Sequence, residues 1–247
     1  MNWDQATKHC KWTRDEQITT LLTYIERQQS PQGFHDFLDH EARDDRIYRM
    51  NRAPDLLWSL DERVANYHHM LDYPESLFIG GDGRLVGTWI MGQNYTVKST
   101  FYGGYPHGYL TRVKALFPEK RFVLHLFSGK VDTTTFPGTT VDINADNAPD
   151  YVDDAQTLEK VPLEKFDLVL ADPPYSVEDC DHYKTTMIKR NKVMAALGAR
   201  LSKGCHVVWL DQVLPMFRKT DFAIDGVIGM VKSTNHRFRV ITIFRKL

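Results

Sequence analysis

The sequence predicts an α/β chain: an open, mostly parallel sheet ending in an antiparallel hairpin, with reduced helices after its first two strands and a mainly helical N-terminal extension. Three observations carry this. Four short apolar runs follow one another between Leu124 and Ala171, each closing on Gly or Asp, as strands do at the carboxyl edge of a parallel sheet. The links between the first three are too short or too rich in Thr, Pro and Gly for regular crossover helices. Two further apolar runs near the end, Phe222 to Val231 and Phe238 to Phe244, are joined by a short polar turn.

Taken from the N-terminus, residues 15–29, 33–43 and 54–71 space their apolar side chains as helices do, with Trp58 and Leu60 read as core. Arg43, Arg46, Arg49 and Arg52 recur at three-residue spacing, which reads as a salt-bridged surface face. Ser76 to Ile79 and Leu85 to Met91 flank Gly80-Gly81-Asp82-Gly83 and read as a hairpin. Residues 1–100 are thus expected as an N-terminal helical region with a hairpin, a candidate target-recognition or accessory part, and residues 101–247 as the core. The core begins with Leu124-His125-Leu126-Phe127-Ser128-Gly129, then Thr140-Val141-Asp142-Ile143, then Tyr151 to Ala155. Between the first two stands Lys130 to Gly138, with three threonines and a Pro-Gly pair, so a loop is expected there and one sheet face should be thinly covered. Lys189 to Leu201 reads as a helix leading into the strand Cys205 to Leu210.

The run Phe166 to Ala171 ends on Asp172-Pro173-Pro174-Tyr175. Open α/β sheets bind ligands outside the carboxyl ends of their strands, so this tetrapeptide occupies a site position. Its chemistry suits an exocyclic amine, whose lone pair is delocalised into the ring it hangs from. Asp172 and the carbonyl that follows it can accept the two amine hydrogens, drawing the nitrogen toward tetrahedral geometry and stabilising positive charge on it. Pro173 and Pro174 fix their φ angles and offer no amide donor, so those carbonyls are rigidly aimed. Tyr175 can stack on a base, a contact worth about 1–3 kcal/mol. Upstream, Gly129 allows close backbone approach and Asp142 can accept from two ribose hydroxyls.

In this order and spacing the chain resembles the class I S-adenosylmethionine-dependent methyltransferases, whose amino-methylating members carry (D/N/S)PP(Y/F/W), and in its DPPY spelling the adenine-specific DNA methyltransferases. The resemblance covers residues 100 to 247 and implies a Rossmann-like methyltransferase sheet with S-adenosylmethionine as cofactor. Position by position, it implies that Phe127, Ser128 and Gly129 form the glycine-rich first motif, and that Asp142 binds the ribose. Asp154 with Ala155 would bind adenine, and Asp172, Pro173, Pro174 and Tyr175 would be catalytic, with Asp172 also beside the cofactor. Tyr102 to Tyr109, and in it Tyr105 and Pro106, would close over the methionine end. The first motif departs from the family in having one glycine and no following helix.

The net charge of −1 gives no global sign of a nucleic-acid partner, but from Ser176 onward Lys and Arg outnumber Asp and Glu by 13 to 6, a bias that can meet phosphates. DNA is the expected partner, with RNA or a protein glutamine as alternative substrates, and a non-catalytic nucleic-acid-binding subunit as the reading from another class. The three cysteines are widely spaced and form no ligand cluster with the histidines, so neither a disulfide framework nor a metal site is expected. No apolar run is long enough to span a membrane and none opens the chain as a leader, so a reducing cytoplasm is expected.

Overall fold

The computed structural model describes residues 58–92, 104–175, 187–232 and 238–247. The helices expected at 15–29 and 33–43, the arginine row 43–52, Tyr102, Gly103 and the link 233–237 lie outside the described residues.

Helix α1 (Leu60–Met70) starts on a capping box: the Glu62 amide donates to Ser59 Oγ and the Ser59 amide to Glu62 Oε2. The hairpin β1 (Leu77–Ile79) and β2 (Leu85–Met91) follows as expected, across a turn with Gly83 at φ 78°. Then come α2 (Tyr109–Leu116), β3 (Val123–Leu126), β4 (Thr139–Asp142), β5 (Tyr151–Val152) and β6 (Leu168–Ala171). The chain ends with α3 (Arg190–Arg200), β7 (His206–Asp211), β8 (Phe222–Lys232) and β9 (Phe238–Lys246).

The nine strands among the described residues join one sheet in the order β1-β2-β8-β9-β7-β6-β3-β4-β5. Strands β5, β4, β3, β6 and β7 pair in parallel, and β9 is antiparallel to both β7 and β8. This is the Rossmann-like, mostly parallel sheet with a terminal antiparallel hairpin that the sequence predicts. The hairpin β1–β2 extends it, because β2 runs parallel to β8 from Leu85 opposite Gly226 to Met91 opposite Lys232.

Side chains alternate across the sheet with the period of two that strands impose. Leu168 and Leu170 of β6 enter one core with Trp89, Tyr109, Val113 and Phe117; Val169 and Ala171 enter the other with Val193, Leu197 and Trp209. The first core lies under α1 and α2, the second under α3 and the irregular segment that carries Leu158, Val161 and Leu163.

Loops replace the helices that would normally follow β3 and β4, as expected. After β3, Phe136 is 3% exposed and fills core space from a loop, while His125 Nε2 lies 2.9 Å from the Phe136 carbonyl. Gly138 passes so close to β3 that a Cβ there would stand 2.7 Å from the Val123 carbonyl oxygen, so only glycine fits. After β4 there is one turn of 3-10 helix, Ala145–Asn147, and the Asp150 carboxylate ties the link back by accepting from the Thr140 amide and hydroxyl at 2.8 and 2.9 Å. Cover is thin at this wing: in β4 only Val141 is buried.

Two expectations need correction. The run 151–155 is a strand only at Tyr151–Val152, because Asp153 and Asp154 turn their carboxylates onto nearby amides and end the ladder. Helix α1 docks through Tyr67, stacked on Trp89 in the first core, and through the buried polar groups of Arg63 and Asn66, whereas Trp58 and Leu60 are half-buried. Arg63 donates to the Leu116 carbonyl and Asn66 to the Ala115 carbonyl, satisfying acceptors that the end of α2 leaves open. Arg63 also holds Glu119 at 2.6 Å, and Arg112 of α2 donates to the Tyr67 hydroxyl at 2.7 Å.

Candidate active site

The strand order β5-β4-β3-β6-β7 reverses direction between β3 and β6, since the chain winds outward through β4 and β5 and returns to the far side of β3 for β6. Such a switch point opens a crevice outside the carboxyl ends of the strands, where ligands bind in doubly wound sheets. Leu126 is registered with Ala171 across that point, so the turn after β3 and the tetrapeptide after β6 flank the crevice.

The turn after β3 brings Phe127, Ser128, Gly129 and Asp142 together. Phe127 and Gly129 both adopt left-handed backbone, at φ 59° and 52°. That conformation is uncommon for phenylalanine, and here the ring sets its edge against Trp209 at 6.3 Å between centroids. The Ser128 amide donates to the Val141 carbonyl at 3.0 Å, and the Gly129 amide to Asp142 Oδ2 at 2.8 Å. Asp142 Oδ1 accepts from the Asn144 amide at 2.8 Å. Each oxygen thus takes one backbone donor, and a carboxylate has lone pairs for about four, so capacity for hydroxyl donors remains.

Beyond β5, the Asp154 carbonyl accepts from the Thr157 and Leu158 amides, and its carboxylate accepts from the Gln156 amide at 2.9 Å. Asp154 therefore builds the turn that follows β5. Ala155, 7% exposed, packs beneath it.

At the end of β6, Pro173 and Pro174 are buried while Asp172 and Tyr175 are half-buried. The Tyr175 hydroxyl donates to Asp172 Oδ1. Asp172 Oδ2 lies 3.9 Å from Arg239 Nη1, and the Arg239 guanidinium sits over the Tyr175 ring, 4.4 Å from its centroid. Below this group, the Tyr105 hydroxyl donates to the Leu170 carbonyl at 3.2 Å, and its ring stacks on Tyr109 at 5.1 Å. Burial, reinforced by the Asp172 charge, raises the Tyr105 phenol well above its ordinary pKa, so it stays protonated as a donor. The Pro106 carbonyl accepts the Tyr109 amide and starts α2. Tyr105 thus sits against the end of β6 that carries the tetrapeptide, while Pro106 belongs to the start of α2.

Two groups at this edge escaped the sequence reading. Arg239 counted only as one basic residue of a basic tail, yet β9 runs antiparallel to β7 and its first residues lie at the carboxyl edge. Asp211 closes β7 there, fully buried; it accepts from Arg190 Nε at 2.5 Å and Nη2 at 3.1 Å and from Trp209 Nε1 at 3.1 Å. Arg190 thereby ties the start of α3 to the wall on which Phe127 leans. An acid ending yet another predicted strand was the available signal.

Among the described residues no group of His, Cys, Asp and Glu could hold a metal ion, and no helix is long and apolar enough to cross a membrane. No protein-family model matches the chain, and no curated protein matches it. Solved structures with similar regions include TrmN from Thermus thermophilus, 17% identical with a TM-score of 0.40 over 51% of this chain and 43% of that one. NodS, an N-methyltransferase from Bradyrhizobium japonicum bound to S-adenosyl-L-homocysteine, is 14% identical with a TM-score of 0.40, over 57% and 85% of the two chains. A fibrillarin/Nop5p complex gives 15% identity and a TM-score of 0.35 over 70% of this chain and 98% of that one. The chain thus spans less than half of TrmN.

Proposed function

We propose that this chain is an S-adenosylmethionine-dependent methyltransferase acting on the exocyclic amine of adenine in DNA. The observation that carries the reading is Asp172-Pro173-Pro174-Tyr175 at the switch point, one registered strand away from the Phe127–Gly129 turn, whose Gly129 amide is held by Asp142 of the next strand. A nucleoside cofactor suits these residues: a backbone turn free of bulk at Gly129, and a half-buried carboxylate at Asp142 with acceptor capacity to spare. Asp142 would take the ribose hydroxyls, Asp154 and the Ala155 amide the adenine edge, and the Tyr105–Pro106 segment the methionine end. When bound, the cofactor supplies an electrophilic methyl group.

The chain's own residues do the rest. Asp172 and the following carbonyl accept the amine hydrogens and favour the pyramidal, positively charging nitrogen. The buried prolines hold those acceptors still, so little reorganisation is needed during transfer. Tyr175 moves its hydroxyl off Asp172 and presents its ring to the base, which must leave the duplex stack to reach the crevice. The basic bias after residue 176 supports a polyanionic substrate.

The test is transfer of labelled methyl from S-adenosylmethionine to DNA, RNA and protein fractions by the purified chain. Label recovered as N6-methyladenine in DNA supports the reading. Label in RNA or on glutamine moves the substrate, and none in any fraction, with cofactor binding absent, removes the enzyme.

A further inference from the structure

The proposed chemistry needs two things that the structure shows engaged within the protein: the face of the Tyr175 ring and the oxygens of Asp172. Arg239 engages both. Its guanidinium lies over the ring at 4.4 Å and stands 3.9 Å from Asp172 Oδ2, with the side chain 15% exposed. A guanidinium is flat and stacks on aromatic faces much as a nucleobase does, so a base can reach this face of Tyr175 only by replacing it. Displaced from a carboxylate in a mostly buried place, the cation would lose its counter-charge, which is costly unless another anion meets it. In a polynucleotide, that anion arrives with the base, as its own flanking phosphate, and matches the two-pronged donor geometry of arginine.

We propose that Arg239 is a specificity-determining residue that holds the place of the target base on Tyr175 and, once displaced, binds the phosphate beside that base, so that the site takes a base carried on a phosphodiester chain. A free nucleoside or a glutamine amide brings no such anion and leaves the displaced guanidinium unpaired. This rests on the methyltransferase reading for the identity of the base, but not for the phosphate contact. The placement comes from strand pairing: β9 is antiparallel to β7, so residue 239 lies near Asp211 at the edge where β6 delivers Asp172.

The experiment measures binding of a short single-stranded, adenine-containing oligonucleotide over a series of KCl concentrations, for the wild-type chain, Arg239→Ala and Arg239→Lys. One phosphate contact on a single strand contributes about 0.7 to the slope of log K against log salt. Arg239→Ala is expected to lose about that much slope, whereas Arg239→Lys keeps the slope with weaker binding, since it retains the charge without the planar stack. Arg239→Gln replaces the alanine variant if thermal melting shows that variant unfolded. A slope unchanged in the neutral variant overturns the proposal and leaves Arg239 acting only on Asp172 inside the protein; a wild-type chain that binds no oligonucleotide also overturns it. Labelled methyl transfer to the same oligonucleotide, measured alongside, separates the two ideas. Transfer with an unchanged slope sinks the phosphate contact alone, and an Arg239-dependent slope without transfer sinks the enzyme alone.

Discussion

Strand β9 sets an arginine against a carboxylate near each of its ends, and the two pairs differ. At the amino edge of the sheet, Arg245 Nε bonds both oxygens of Asp225 at 2.9 and 3.2 Å, and His206 Nε2 lies 3.4 Å from Asp225 Oδ2. Asp225 occupies the bulge between Ile224 and Gly226, so this cluster locks an irregularity of the ladder. At the carboxyl edge, Arg239 approaches Asp172 only to 3.9 Å and shares itself with the Tyr175 ring. The first carboxylate is closed by direct hydrogen bonds from elements that cannot move apart without unpairing strands. The second is held by partners on a loop and an arginine side chain, which can exchange for a substrate. The closed cluster at the amino edge needs no ligand to account for it, whereas the proposed site would require the long, shared Arg239 contact at the carboxyl edge to exchange.

Exchanging each acid for alanine tests that contrast most sharply. Asp172→Ala should lower methyl transfer by at least about 10²-fold, the scale of losing one well-aimed electrostatic group, with a smaller loss of stability than Asp225→Ala because its ion pair with Arg239 is long, at 3.9 Å. Asp225→Ala should do the reverse: about 1–3 kcal/mol lost in urea unfolding, toward the low end because the Arg245 side chain is 40% exposed, and transfer retained by the folded protein. If both variants lost stability alike, the distinction between the two ends of β9 would fail.

Asp142→Ala probes the other wall of the crevice. It removes the acceptor of the Gly129 and Asn144 amides, so calorimetric titration with S-adenosylmethionine should show affinity reduced about tenfold or more, the effect of losing one or two hydrogen bonds. Affinity equal to the wild type would place the ribose elsewhere.

The amino-edge cluster should also answer to pH. Burial holds the His206 imidazole down to about 4, a lowering that the hydrogen bond to Asp225 opposes and the Arg63 and Lys120 charges reinforce. Unfolding returns the ring to about 6.5, so the unfolded chain binds the extra proton between those values. Stability should therefore be intact above pH 6.5 and fall as the pH drops toward 4; a His206→Phe variant that unfolds with the same slope over that window would remove His206 as its source. The smallest effect is expected from Tyr109→Phe. The Tyr109 hydroxyl is buried with no hydrogen-bond partner among the described residues, so its loss should shift stability by less than about 1 kcal/mol, with a gain the expected sign.

Much of the candidate site could be proposed from the sequence because its residues sit at chain positions that local patterns mark. Apolar runs end where strands end, and Gly129, Asp142 and Asp172 stand at those ends. The missing helices were readable too: three threonines and a Pro-Gly pair cannot make a regular helix, and the structure replaces it with Phe136 plugged into the core. Asp154 shows where such reading stops. The sequence marked an acid close after a short strand, but that the strand stops at Val152 and the Asp154 carboxylate accepts the Gln156 amide depended on a few torsion angles of the turn.

By itself, then, the amino-acid sequence determined the alternating strands, the reduced helices, the terminal hairpin and the chemistry of the tetrapeptide, since each depends on neighbours a few residues apart. Tertiary structure alone decided what crosses long stretches of chain. It made β2 the parallel neighbour of β8, set Arg63 and Asn66 on the last carbonyls of α2, and brought Arg239 over Tyr175. Strand register and helix docking are collective outcomes of many weak contacts, and they place side chains from distant positions within a few ångströms without leaving a periodic mark at either one.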